Sequence, residues 1–387
     1  MKRATLLIII LFNFNFIHAQ ESVITTAVPF LLVAADARAA GMGDNGVASS
    51  TDAFSQQWNP SKYAFANDQQ GFSLSYTPYL TDLVNDISLA QINYYNKFSD
   101  RSAFAGSFRY FGLGDIELRT DFDSQVVLVS PNEFAFDVSY SQKLSEKFSM
   151  AVAGRFINSN LKVATDNNDA SSSSSFAVDV AGFFQSEEIA YSDFNGRWRA
   201  GFNFQNMGPK MSYDNDDINA NFLPANMKLG GGFDFILDEY NKVAVNLEVS
   251  KLLVPTPQNP DLNGDGDVTA EEEQQNRDNY QSINWFSGMF QSFTDAPGGF
   301  SEELKEVTYS LGSEYVYQDA FSFRAGYFHE SPDKGAREFF SLGAGFKYSS
   351  VKIDVSYLFS SSKVQNPLEN TLRFSLTFNF GEKYESF

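Results

Sequence analysis

Residues 261–272 read DLNGDGDVTAEE, and their spacing is that of a loop built to bind calcium. Asp261, Asn263 and Asp265 hold ligand positions 1, 3 and 5, with Gly266 at the sharp turn of position 6. Asp267 offers a backbone carbonyl at position 7, and Thr269 acts at position 9, directly or through water. Glu272 stands at position 12, where a bidentate carboxylate completes a shell of about six to eight oxygens. Residues 254–260, VPTPQNP, cannot form an ordinary entering helix because three of them are proline. The expectation is therefore half of an EF-hand, of the dockerin kind, with an exiting helix within residues 271–293. Calcium there would stiffen the loop.

Other chemistry is scarce. The chain has no cysteine, which removes thiol nucleophiles, disulfides and Cys-based metal sites. Of its two histidines, His18 lies in the leader, so a catalytic triad would depend on His329 alone. Lys and Arg number 28 against 48 Asp and Glu, a net charge of −20, or −22 once Lys2 and Arg3 leave with the leader. Such an acidic chain is a poor nucleic-acid binder, though it suits divalent cations or basic partner surfaces.

The elements that carry the loop have a period of two. In the last segment Leu372, Phe374, Leu376, Phe378 and Phe380 share one face, and Arg373, Ser375, Thr377 and Asn379 the other. Fourteen such segments are predicted, at 70–79, 85–97, 102–111, 133–142, 148–163, 172–187, 195–206, 226–237, 241–252, 305–317, 320–329, 338–348, 351–360 and 370–380. Short links (99–100, 144–145, 239–240, 318–319, 349–350) alternate with longer ones (112–132, 207–225, 253–304, 330–337, 361–369), the link at 187–195 being a mild exception. That asymmetry, an even strand number, 40 Phe and 18 Tyr, and a terminal Phe387 describe an all-β, antiparallel transmembrane β-barrel. Arg109, Asp137, Arg155, Asp179, Glu248, Arg324, Asp354 and Arg373 fall on its lumen face. Residues 1–19 have the form of a cleaved signal peptide: Lys2 and Arg3, an apolar run over 5–12, and Ile17-His18-Ala19 before Gln20. That run is too short to span a bilayer as a helix. The barrel thus covers 70–387, and the apolar residues Trp285, Phe286, Met289, Phe290 and Phe293 of the 253–304 loop either cover its mouth or form a partner site.

Residues 20–69 do not alternate. They hold an Ala-rich, helical run at 34–40 and small residues suited to packing inside a barrel as a plug, with Pro60 ending a local helix. The pieces Asp36-Ala37-Arg38-Ala39, Gly41-Met42-Gly43, Asp52-Ala53 and Trp58-Asn59-Pro60 resemble the N-terminal signature of the PorV family. These are outer-membrane proteins of the type IX secretion system of Bacteroidetes, within the FadL-like superfamily. Ser61-Lys62-Tyr63 departs from relatives that carry a small residue and then Gly-Leu, which leaves the local turn open.

The resemblance implies a FadL-like barrel plugged by its own N-terminal segment and placed in the outer membrane among lipids. It implies docking at a very large translocon barrel, binding of exported cargo through the cargo's C-terminal domain, and delivery to a cell-surface attachment complex with a PorU-type protease. No enzymatic activity is expected. The alternative is a FadL-like channel for hydrophobic small molecules, in which Gly230-Gly231-Gly232 would kink a strand to open the wall. A lipid hydrolase is the third reading, resting on His329 alone.

Overall fold

A computed structural model describes residues 23–79, 86–119, 126–161, 172–213, 220–362 and 368–384. The signal segment, the cleavage point before Gln20 and the terminal Phe387 lie outside these residues.

In chain order, the N-terminal segment carries a 3-10 turn Pro29–Leu32, helix α1 (Ala37–Ala40), helix α2 (Ser55–Trp58) and a 3-10 helix Pro60–Phe65. Strands β1 (Asp68–Pro78), β2 (Ile87–Lys97), β3 (Ser102–Leu113), β4 (Asn132–Lys143), β5 (Phe148–Asn160), β6 (Ser173–Gln185) and β7 (Asn195–Met207) follow. Then come β8 (Asn226–Ile236) and β9 (Asn241–Leu252), and after the long loop β10 (Val307–Tyr317), β11 (Phe321–His329), β12 (Glu338–Tyr348), β13 (Val351–Ser360) and β14 (Leu372–Lys383). The long loop contains α3 (Ala270–Ser282), α4 (Trp285–Gln291) and α5 (Phe300–Lys305). All fourteen expected strands form, with ends shifted by only a few residues. Two short additions escaped the periodicity: a hairpin of Ile116–Leu118 with Val127–Val129, and Ile189–Ala190 pairing beside the start of β7.

Each strand pairs antiparallel with its sequence neighbours, and β14 returns to β1 through Phe72↔Phe378, Leu74↔Leu376 and Tyr76↔Phe374. Closure leaves none of the fourteen barrel strands with a free edge. It is the condition for a sheet to sit in hydrocarbon, where an unpaired backbone group costs several kcal/mol. The sheet then divides the side chains by chemistry. Leu229, Leu247, Leu311 and Phe323 stand exposed on the outer wall, while the eight charged lumen positions are each at most 7 % exposed. An Arg or Lys on the outer face costs about 2–4 kcal/mol at the bilayer midplane, so the alternation is enforced. Among the short turns, Gln318 and Asp319 both take positive φ, 53° and 51°, the conformation of a tight hairpin.

Three local expectations change. The helical run at 34–40 shortens to α1 because Asp36 caps it, its carboxylate accepting the Ala39 N–H at 2.8 Å. The exiting helix expected within 271–293 is two helices: Ile283 is extended, and Asn284 accepts the Phe286 N–H at 2.9 Å and starts α4 afresh. The triglycine of β8 makes no kink. Gly231 opposes Ala200 on one side and Leu247 on the other in unbroken register.

Candidate functional site: the N-terminal segment, the lumen and the long loop

The sequence-chosen residues Asp36, Arg38, Gly41, Gly43, Trp58, Asn59 and Pro60 come together among the inward-facing side chains of the strands. Asp36 accepts the Trp58 indole N–H at 2.7 Å as well as capping α1, so one buried carboxylate ties two parts of the segment. Arg38 reaches Asp52 at 2.6 Å within the segment and Glu314 on β10 at 2.7 Å. Glu314 also pairs with Arg324 on β11 at 2.8 Å, and Arg324 with Asp354 on β13 at 2.9 Å. Asn59 donates to the carbonyls of Val47 at 2.9 Å and Gly182 at 3.0 Å and caps the 3-10 helix through the Ser61 N–H. Pro60 opens that helix, at the one position where its missing N–H costs nothing.

The contacts run around the circumference. Ala37 N–H donates to Ser375 of β14, Gly43 N–H to Ser341 of β12, and Gln56 to Asp137 of β4. Asn203 of β7 donates to the Trp58 carbonyl. On the far wall the lumen charges answer one another, Arg155 pairing with Asp179 at 2.9 Å and Asp137 at 3.3 Å. Arg109 donates to the Leu31 carbonyl, and Arg373 pairs with Asp44 at 3.2 Å. A buried charge survives only when paired and hydrogen-bonded, so these pairs fix one position of the segment.

Several residues named in the sequence were not read there as anchors of the segment. Glu248 accepts the N–H groups of both Gly46 and Val47 at 2.8 Å, and Lys62 donates to the Gly46 carbonyl at 2.8 Å. Three inward glycines, Gly312, Gly326 and Gly343, let backbone lie directly on the wall. A Cβ on Gly343 would meet Gly41 Cα at 3.2 Å, and one on Gly326 would overlap Gly43 N and the Met42 carbonyl carbon. Gly43 itself has φ 75° and leaves no room for a side chain against Tyr327 backbone. Glycine at inward positions of strands was the available signal.

Lumenal cavities lie among the described residues. One of 440 Å³ at the long-loop end is lined by Leu31, Trp58, Lys228, Glu248, Phe328 and Arg337, and one of 760 Å³ at the short-turn end by Arg38, Asp52, Arg197, Asp234, Lys242 and Lys352. A third, of 420 Å³, is an apolar depression around Gly182, Ala200, Phe202, Leu229, Gly231 and Leu247. Those last residues alternate with the lumen-facing ones, so it lies on the outer wall.

In the calcium-type loop, Gly264 and Gly266 take φ 76° and 90°, and α3 begins at Ala270. Asp261 accepts Gly264 N–H at 2.7 Å and Gly266 N–H at 3.0 Å, and Asn263 and Asp265 accept the amides two residues on. Glu272 and Thr269 form a capping box. The donor set has the right chemistry, but its oxygens are turned to backbone amides. Among the described residues no three His, Asp or Glu side chains converge as a metal cluster does. Nearby, burial pushes the Asp295 carboxyl up to about 6, against the Thr256 N–H that it accepts at 3.1 Å. His329 ends β11 beside Glu338 at 3.8 Å.

A closed fourteen-stranded barrel with lipid-facing aromatics and a charged interior has the architecture of an outer-membrane β-barrel protein. Its fold is similar to a TodX monoaromatic hydrocarbon channel lacking segments S2 and S3 (TM-score 0.50, 12% identity, covering 89% of this chain and 98% of that one). It is also similar to the Ralstonia pickettii toluene transporter TbuX (TM-score 0.48, 11% identity, covering 91% and 100%). A Pseudomonas aeruginosa FadL homologue matches with a TM-score of 0.43 and 11% identity, covering 93% and 100%. No curated protein matches. The family model of the type IX secretion system protein PorV matches residues 16–259, well over half of the chain, and the chain belongs to that family.

Gly326→Val puts a side chain where Met42 and Gly43 lie, and the segment must move off β11. Hydrogen exchange over residues 41–47 should rise at least tenfold and the thermal midpoint fall. Gly154→Ala, whose Cβ meets nothing within 4 Å, should leave both unchanged.

Proposed function

We propose that the protein is a non-enzymatic component of the type IX secretion system that binds exported cargo by its C-terminal domain at the translocon. It hands that cargo to the attachment complex with its PorU-type protease. The family match over residues 16–259 carries this reading. The N-terminal segment supports it as a stopper: its ion pairs with the wall make the lumen a structural core, which leaves the loops and the outer wall as binding surfaces. The second reading, a channel for hydrophobic small molecules, draws on a fold shared with a hydrocarbon channel. Deleting the gene separates the two. Type IX cargo should accumulate in the periplasm and disappear from the surface. Normal secretion with lost uptake of hydrophobic compounds would establish the channel instead.

Calcium binding at residues 261–272 is the second part of the proposal. Asp261, Asn263, Asp265, the Asp267 carbonyl, Thr269 and Glu272 would hold the ion, with an affinity of about 10⁻⁴–10⁻³ M as in extracellular modules. The loop's backbone course, with positive φ at Gly264 and Gly266, supports it. Titrating calcium into the full chain in detergent should give one site per chain, and Asp265→Ala with Glu272→Ala should abolish it. No heat from the unaltered chain at millimolar calcium would refute the site.

A further inference from the structure

The longest loop does not stand clear of the barrel. Trp285 and Met289, one turn apart on α4, pack with Ala225 and Leu253 against Phe204, Met207 and Met227. Phe204 and Met227 oppose each other in the ladder, and their neighbours Asn203, Gln205, Asn226 and Lys228 face the lumen. Met207 likewise opposes Val178, an exposed residue of the outer wall. Helix α4 therefore lies along the outside of the rim, at the end of the barrel that bears the long loops.

Beside that contact, aromatics stand uncovered by any of the described residues. Phe286 and Phe290 of α4, stacked edge to face at 5.4 Å, are 56 % and 64 % exposed, and Phe293 in the turn just after the helix is 42 % exposed. These fractions match those of the wall residues below, Leu229 at 44 % and Leu247 at 52 %. Between Asp278 and Asp295 there is no charged residue, whereas the preceding α3 is rich in them and buries none of its residues. An uncharged, aromatic helix joined without a break to a lipid-facing wall has the composition of a membrane-interface element.

We propose that α4 and the turn that follows it are an interfacial anchor: Phe286, Phe290 and Phe293 sit in the outer leaflet, at the boundary of acyl chains and headgroups. The lipid belt of the barrel thus extends onto the loop. The acidic α3 and the calcium-type loop are held in water just above the bilayer and to one side of the mouth. This goes beyond the secretion reading and does not depend on it.

Because the chain has no cysteine, one substitution gives one labelling site. Spin labels on Phe290→Cys and, as a second variant, Phe286→Cys would be read in vesicles of phosphatidylethanolamine and phosphatidylglycerol. Leu311→Cys on the wall and Asp267→Cys in the loop serve as references. Relaxation at 290 and 286 should be enhanced by oxygen several-fold more than by a water-soluble nickel complex, as at 311, while 267 shows the reverse. Labels at 290 and 286 that respond to nickel as 267 does would overturn the proposal, because α4 would then face water. Labels shielded from both reagents would overturn it equally, because the chain itself would cover them.

Discussion

A sheet in hydrocarbon must leave no backbone group unpaired, and the β1–β14 seam is where this chain meets that demand. From Gln70↔Phe380 to Tyr76↔Phe374 the last strand pairs with the first in continuous register. Everything else follows from the cylinder so made. Side chains of a closed sheet have only two destinations, so apolar residues go out and polar residues go in. The interior then holds more charge than water in a narrow lumen can solvate well, and each charge needs a partner. The N-terminal segment supplies several: Asp52 and Arg38 join the Glu314–Arg324–Asp354 chain, and the Gly46 and Val47 amides bind Glu248.

The barrel was legible in the sequence because its cause is local. Period two, strand length and turn residues are written segment by segment, as in Phe374-Ser375-Leu376-Thr377. The meeting of the segment with the wall was less legible. The Arg38–Glu314 pair joins residues 276 positions apart, and no periodicity records it. Glu248 read only as a lumen charge, although besides Lys228 it holds two backbone amides that any residues could supply. The inward glycines of β10 to β12 were a sign of close backbone approach that alternation alone does not rank. The triglycine of β8 misled in the opposite direction: it suggests a kink, but its inner face receives Val47 and Ala48 while its strand stays paired on both sides.

The loops divide by what each segment can bury. Asn284 starts a new helix at the point where the sequence passes from acidic to aromatic, so the polar and apolar halves of residues 270–291 take different directions. The polar half carries the EF-hand-like loop into solvent. The apolar half lies on the rim beside Met227 and Leu253.

If the leading segment closes the lumen, as its contacts with the wall suggest, ions have no open path through the barrel. Single-channel recording of the full chain in a planar bilayer tests it most directly. The intact chain should carry no steady ohmic current, and a current should appear when residues 23–66 are removed from a barrel that still assembles. A persistent open conductance in the intact protein would contradict it.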